Sequence, residues 1–211
     1  MSVDMSSVAY QKFLSEYSAT GRAKLDGYTH AWLLQLSEDE KEQAIALLSE
    51  EAKSFYGAIE PLALLAPNTA VKVLKDIELT KAPDILRQSH PVYFWLWKLT
   101  GDESYAIKFV ECRPYLEDYD IPSFYSMGGQ ALASEAIDSW MQGAIFTEAD
   151  PVGLFAAAKA LLDDRGIRFD EPATKERHRA LRKVLTSGSP EQKREVLAQL
   201  PPRAASNGQQ G

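Results

Sequence analysis

Eleven prolines, at positions 61, 67, 83, 91, 114, 122, 151, 172, 190, 201 and 202, punctuate this 211-residue chain. Most stand where an apolar run of helical period begins or ends, because proline lacks the amide that a helix interior needs but fits a first turn. The chain between them reads as a succession of helices of modest length. The clearest runs from Ser37 to about Tyr56, where Ser37 and Glu40 have capping-box spacing and acids fill the first turn. Ala44, Ile45, Leu47, Leu48, Ala52 and Phe55 mark one face of it. A second strong signal places Asp150 at an N-cap and Pro151 at the first helical position. Leu154, Phe155, Ala158, Leu161 and Leu162 then form an apolar stripe, and Gly166 supplies a stop.

Weaker signals fill the remainder. Two helices are expected before Ser37, one following Ser7 with Tyr10, Phe13, Leu14 and Tyr17, the other over 28–36 with Trp32, Leu33 and Leu36. Asn68 is a candidate cap for a helix carrying Val71, Val73, Leu74 and Ile77, and Thr80 with Pro83 opens another containing Ile85 and Leu86. The run Val92, Tyr93, Phe94, Trp95, Leu96, Trp97 favours strand by composition, yet it is too short for periodicity to separate a strand from a buried helix. Its helical surroundings assign it to helix. Asp102 caps a helix through Phe109 and Val110 that Pro114 stops. Leu132, Ala136, Ile137 and Trp140 mark another, and 171–185 and 189–200 complete the set.

An all-α fold of about nine to eleven helices follows, arranged as antiparallel neighbours in a HEAT-like α-solenoid or a related irregular helical bundle. The solenoid alternative draws on a similarity between 37–48 and 189–200, which share a cap, an acidic first turn, a lysine and an apolar register. One all-α domain is expected over 1–202, with 203–211 a flexible polar tail. Apolar residues make up 45% and charged residues 25% of the chain, which excludes disordered and fibrous classes. No apolar stretch approaches the roughly 18 to 20 residues that cross a bilayer, so no membrane association is expected. The first residues carry Asp4 and neither a basic region nor an apolar one after it, which favours a cytoplasmic product.

Residues able to carry chemistry are sparse. His30, His90 and His178 lie far apart and outside any spacing that sets two ligands on one helix face, so no metal site is expected. Cys112 is the single cysteine and reads as a small buried thiol. Gly128 and Gly129 read as a turn leading into a helix, since a phosphate loop would add a lysine. Asp163 and Asp164 beside Arg165 read as surface ionic contacts, His178 as part of a solvated basic helix, and the four tryptophans as core. No catalytic residue and no cofactor is assigned.

Charge is more informative. With 23 basic and 30 acidic side chains the net charge is −7. Residues 1–164 hold 13 basic and 25 acidic groups, whereas 165–211 hold 10 and 5. The acidic body would repel phosphates, so the basic end is not read as a nucleic-acid surface. Between Pro114 and Gly129 the helical period fades into what reads as an ordered loop with one helical turn. There Glu117, Asp118 and Asp120 alternate with Tyr115, Tyr119, Phe124 and Tyr125. Tyrosines offer rigid contact area and carboxylates steer a basic partner, so these seven residues are the candidate partner-binding site.

In size, acidity, helical content, absence of catalytic motifs and the Tyr-Leu-Glu-Asp-Tyr-Asp stretch at 115–120, the chain resembles the small cytoplasmic all-helical immunity proteins that bacteria pair with secreted toxins, some of them HEAT-like. The resemblance implies a non-enzymatic protein-binding module that inhibits a cognate toxin, one with a basic surface, by covering its active or substrate-binding surface. A scaffold or regulatory adaptor, and a helical enzyme with a pocket that spacing does not reveal, stand as alternatives.

Overall fold

A computed structural model describes residues 6–80 and 89–202, and over them the chain is all-α, with thirteen α-helices, two 3-10 turns and no strand. The expected helix around Ile85 and Leu86 and the expected tail at 203–211 lie outside the described residues. The chain divides into two compact units, Met1–Leu86 with Lys98–Gly101, and Arg87–Trp97 with Asp102–Gly211.

The first unit contains α1 (Val8–Tyr17), α2 (Arg22–Leu25), α3 (His30–Leu33), α4 (Glu38–Glu51), α5 (Ile59–Leu65) and α6 (Pro67–Thr80). Helix α5 packs against α3, α4 and α6, and α1 against α3, around Phe13, Leu33, Leu48, Ile59, Leu62 and Leu74, all fully buried. Three helices rather than two precede Ser37, because Gly21 and Gly27 take positive φ (57° and 76°) and set α2 apart as a single turn. Helix α6 begins at Pro67, so Asn68 lies inside its first turn and is not the cap. The capping box of α4 forms as expected, and its Glu40 does more. The carboxylate accepts from the Ser37 amide (2.9 Å), the Ser7 amide (2.7 Å) and the Ser7 hydroxyl (3.0 Å), so the N-caps of α1 and α4 share one anion. Those two backbone amides, Ser37 first, hold the Glu40 carboxyl down at about 2.

The second unit contains α7 (His90–Thr100) as far as Trp97, α8 (Glu103–Glu111), a 3-10 turn at Arg113–Tyr115, α9 (Ile121–Gln130), α10 (Glu135–Thr147), α11 (Pro151–Asp164), α12 (Lys175–Ser187) and α13 (Pro190–Gln199). The Val92 to Trp97 run is helical and largely buried. Helix α9 packs along α11, α10 along α8 and α11, and α12 along α11 and α13. Contact with the second neighbour in sequence as well as the first is what stacked helix hairpins produce. At the end of α11 the Ile167 amide reaches the Leu162 carbonyl (2.9 Å) and the Gly166 amide the Asp163 carbonyl (3.0 Å), a Schellman motif with Gly166 at φ 71°.

Two expectations need correction here. The segment at 121–130 is a full helix, because Pro122 sits in its first turn and Ile121, Phe124, Tyr125 and Gly128 form its buried face. Gly128 and Gly129 therefore belong to the last turn of this helix and not to a turn leading into the next. Nor is His178 solvated: with Leu185 it forms the inward side of α12, and its imidazole is completely buried.

Candidate functional site

The acidic segment is short and braced at both ends. After α8 the chain makes the Arg113–Tyr115 turn, extends at Leu116, and turns again so that the Asp120 amide meets the Glu117 carbonyl at 2.9 Å. The Phe124 amide then bonds the Asp120 carbonyl (2.9 Å) and opens α9. Upstream, Arg113 grips Glu148 through Nε (2.9 Å) and Nη2 (2.8 Å). The same carboxylate accepts from the Tyr125 hydroxyl and from the Asp150 amide (2.9 Å). Burial pushes the Glu148 carboxyl up, but these donors outweigh it and hold the group below its ordinary range, ionised against Arg113. Downstream, Ile121 and Phe124 are buried, with the Phe124 ring stacked on Phe109 at 4.4 Å.

Between these anchors the surface is acidic and aromatic. Tyr119 is 74% exposed and Tyr115 45%. Glu117 and Asp118 are exposed, and among the described residues neither forms an ion pair. Asp120 is half-buried, and its carboxyl is raised by that burial and by the charge of Glu117. The charges of Glu117 and Asp120 likewise raise the Tyr119 phenol. Of the seven candidate residues, Tyr115, Glu117, Asp118, Tyr119 and Asp120 thus share one surface segment. Phe124 and Tyr125 do not: both are fully buried, Tyr125 stacks on Trp140 at 5.4 Å, and its hydroxyl is spent on Glu148. They support the segment from beneath and present nothing to a partner.

Sequence reasoning missed a groove of about 480 Å³ between α9 and α11, lined by Pro122, Ser126, Gly129, Val152, Phe155 and Lys159 among others. It exists because α9 presents small side chains opposite the exposed Val152 and Phe155. The paired glycines were the available signal, since a Cβ on Gly129 would come within 2.8 Å of the Ala160 Cβ. At one end of the groove Lys159 pairs with Asp163, whose Oδ1 lies 3.6 Å from His178 Nε2. The Arg182 guanidinium sits 4.1 Å over the Phe155 ring.

Other residues singled out from sequence have structural surroundings. Asp163 and Asp164 pair with Lys159 and Arg165, and Arg165 also reaches Asp138 at 3.3 Å. Cys112 is buried, which pushes its thiol up to about 12 and makes it a poor nucleophile. His90 is buried against the rings of Phe109 and Phe124, and His30 lies 3.7 Å from Glu60. Trp95 is buried, whereas Trp32, Trp97 and Trp140 are only partly covered. Among the described residues no three His, Cys, Asp or Glu side chains gather as a metal site, and no helix is long and apolar enough to cross a membrane. Comparison with protein-family models, with curated proteins and with solved structures finds no match to this chain.

Proposed function

We propose that the chain is a non-enzymatic protein-binding module that docks residues 115–120 on a basic surface of another protein. The observation that carries this reading is Tyr119, three-quarters exposed on a turn braced by Arg113–Glu148 on one side and by buried Ile121 and Phe124 on the other, with Glu117 and Asp118 uncompensated beside it. A large aromatic ring held on a rigid turn loses little freedom when covered, and unpaired carboxylates accelerate encounter with a cationic surface. The narrower reading is inhibition of a toxin by covering its active or substrate-binding surface, in the manner of an immunity protein. That reading draws on the resemblance in size, acidity and helical content, and on the fact that occlusion asks for complementarity and no reacting group.

Co-expression with the product of the adjacent gene tests both levels. Growth rescue by the wild-type chain, lost in a Glu117→Gln, Asp118→Asn, Tyr119→Ala variant of unchanged melting temperature, is the expected result. An equally protective variant would remove the segment as the docking surface. Complex formation without any protection from toxicity would leave the adaptor role and discard the inhibitor.

A further inference from the structure

The Lys24 ammonium sits in an aromatic cage within the first unit. Its Nζ lies 4.9 Å from the centroid of the Tyr28 ring, 5.1 Å from Tyr17 and 5.4 Å from Phe55, all within cation–π range. It forms an ion pair with Glu51, donates to the Tyr17 carbonyl (2.7 Å) and donates to the Tyr28 hydroxyl (2.9 Å). The Glu16 carbonyl lies farther off at 3.4 Å, so the three near acceptors match the three protons of a primary ammonium. Only 15% of the Lys24 side chain and 12% of that of Glu51 remain exposed.

Cage and occupant are held by different means. The Phe13 ring packs on both Tyr17 (6.1 Å) and Tyr28 (5.7 Å), Glu16 binds the Thr29 amide (3.1 Å) and hydroxyl (2.7 Å), and the Tyr28 hydroxyl donates to Glu51. None of these contacts involves Lys24. The lysine itself rides on a seven-residue turn between Gly21 and Gly27, both at positive φ, with open space where either Cβ would be. Among the described residues, the only side-chain hydrogen bonds leaving that turn are those of Lys24.

We propose that Tyr17, Tyr28, Phe55 and Glu51 form a binding site for primary alkylammonium groups, and that Lys24 occupies it in cis as a displaceable stand-in. The prebuilt cage selects an amine with an apolar stem and three N–H donors. A quaternary ammonium satisfies the rings but leaves the Tyr17 carbonyl and the Tyr28 hydroxyl without a donor, and Glu51 with that of Tyr28 alone. The amine is either a small free molecule or a lysine side chain of another protein, both with the same head group.

Lys24→Ala empties the cage and makes the claim measurable by thermal unfolding. n-Butylammonium is expected to raise the melting temperature of K24A saturably, whereas tetramethylammonium and sodium at equal ionic strength do not. Wild type, already occupied, responds little. Should K24A be unfolded alone, recovery of helical circular dichroism on adding n-butylammonium is the same result. Nα-acetyl-lysine N-methylamide separates the sources: a matching shift assigns the site to lysine side chains, and a shift with n-butylammonium alone assigns it to free amines. The proposal is overturned if neither amine acts beyond the salt controls, or if the shift survives Glu51→Gln in the K24A background.

Discussion

Arg113 and Glu148, 35 positions apart, meet fork to fork at 2.9 and 2.8 Å, and the Tyr125 hydroxyl and the Asp150 amide close on the same carboxylate. One anion thereby fixes the turn before the acidic segment, the middle of α9 and the start of α11. Glu148 is 8% exposed and Arg113 18%. Glu148→Ala therefore strands a guanidinium with little water to replace its partner, and is expected to cost about 3 kcal/mol or more in urea unfolding. A cost below about 1 kcal/mol, the size of an exposed pair, would show that the cluster is not structural.

His178 gives the protein a pH dependence of predictable sign. Its ring is fully buried, edge-on to Phe169 at 5.7 Å, with both nitrogens unbonded. Burial lowers its pKa, Asp163 opposes that shift, and the charges of Arg182 and Lys159 reinforce it. A folded-state value below the unfolded one means that the folded chain takes up fewer protons. The contribution is therefore complete above about pH 6.5 and is lost as pH falls through the folded value. Melting temperature should drop between about pH 7.5 and about pH 5.5, and drop less in His178→Leu. Equal drops in both proteins would assign the effect to another group.

Two helix glycines should respond oppositely to alanine. Gly143 in α10 has nothing within 4 Å of an added Cβ, so Gly143→Ala is expected to stabilise by about 0.5–1 kcal/mol through the unfolded chain. On Gly129 the same methyl would meet the Ala160 Cβ at 2.8 Å, forcing α9 away from α11. Destabilisation of about 1–3 kcal/mol is expected there, read from denaturant midpoints. A stabilised Gly129→Ala would mean that the two helices pack less closely than described.

Local signals were legible and long-range ones were not. Ser37 with Glu40, and Asp150 with Pro151 and Gly166, act within a few residues of themselves, so the start of α4 and both ends of α11 follow from sequence, whereas α4 stops at Glu51, short of the expected end near residue 56. The 121–130 helix was hidden because Pro122 and the paired glycines resemble breakers. The spacing of Ile121, Phe124, Tyr125 and Gly128 is nevertheless helical and puts Phe124 and Tyr125 on the inward face. His178 was masked by the charges around it, although His178 and Leu185 lie on one stripe of α12. That Glu148 holds Arg113, or that Glu51 closes a cage on Lys24, depends on separations that no local pattern encodes.

Tyr119 separates a docking residue from a structural one most sharply. With 74% of its surface in water it contributes little to the fold, and its raised phenol reflects the neighbouring Glu117 and Asp120 charges. Tyr119→Ala should therefore leave the melting temperature within about 2 °C, since surface changes of this kind stay within about 0.5 kcal/mol. Its effect belongs to the complex, where truncating a central aromatic anchor costs about 2 kcal/mol or more of binding, roughly a thirtyfold rise in Kd. Glu117→Gln with Asp118→Asn should act differently, slowing association and flattening its salt dependence while the dissociation rate stays nearly constant, because exposed charges at a rim work on encounter. Rate measurements at two salt concentrations on these two variants and the wild type distinguish the roles. A Tyr119→Ala protein that melts early but binds its partner unchanged would return the residue to the fold and take the docking surface away from this segment.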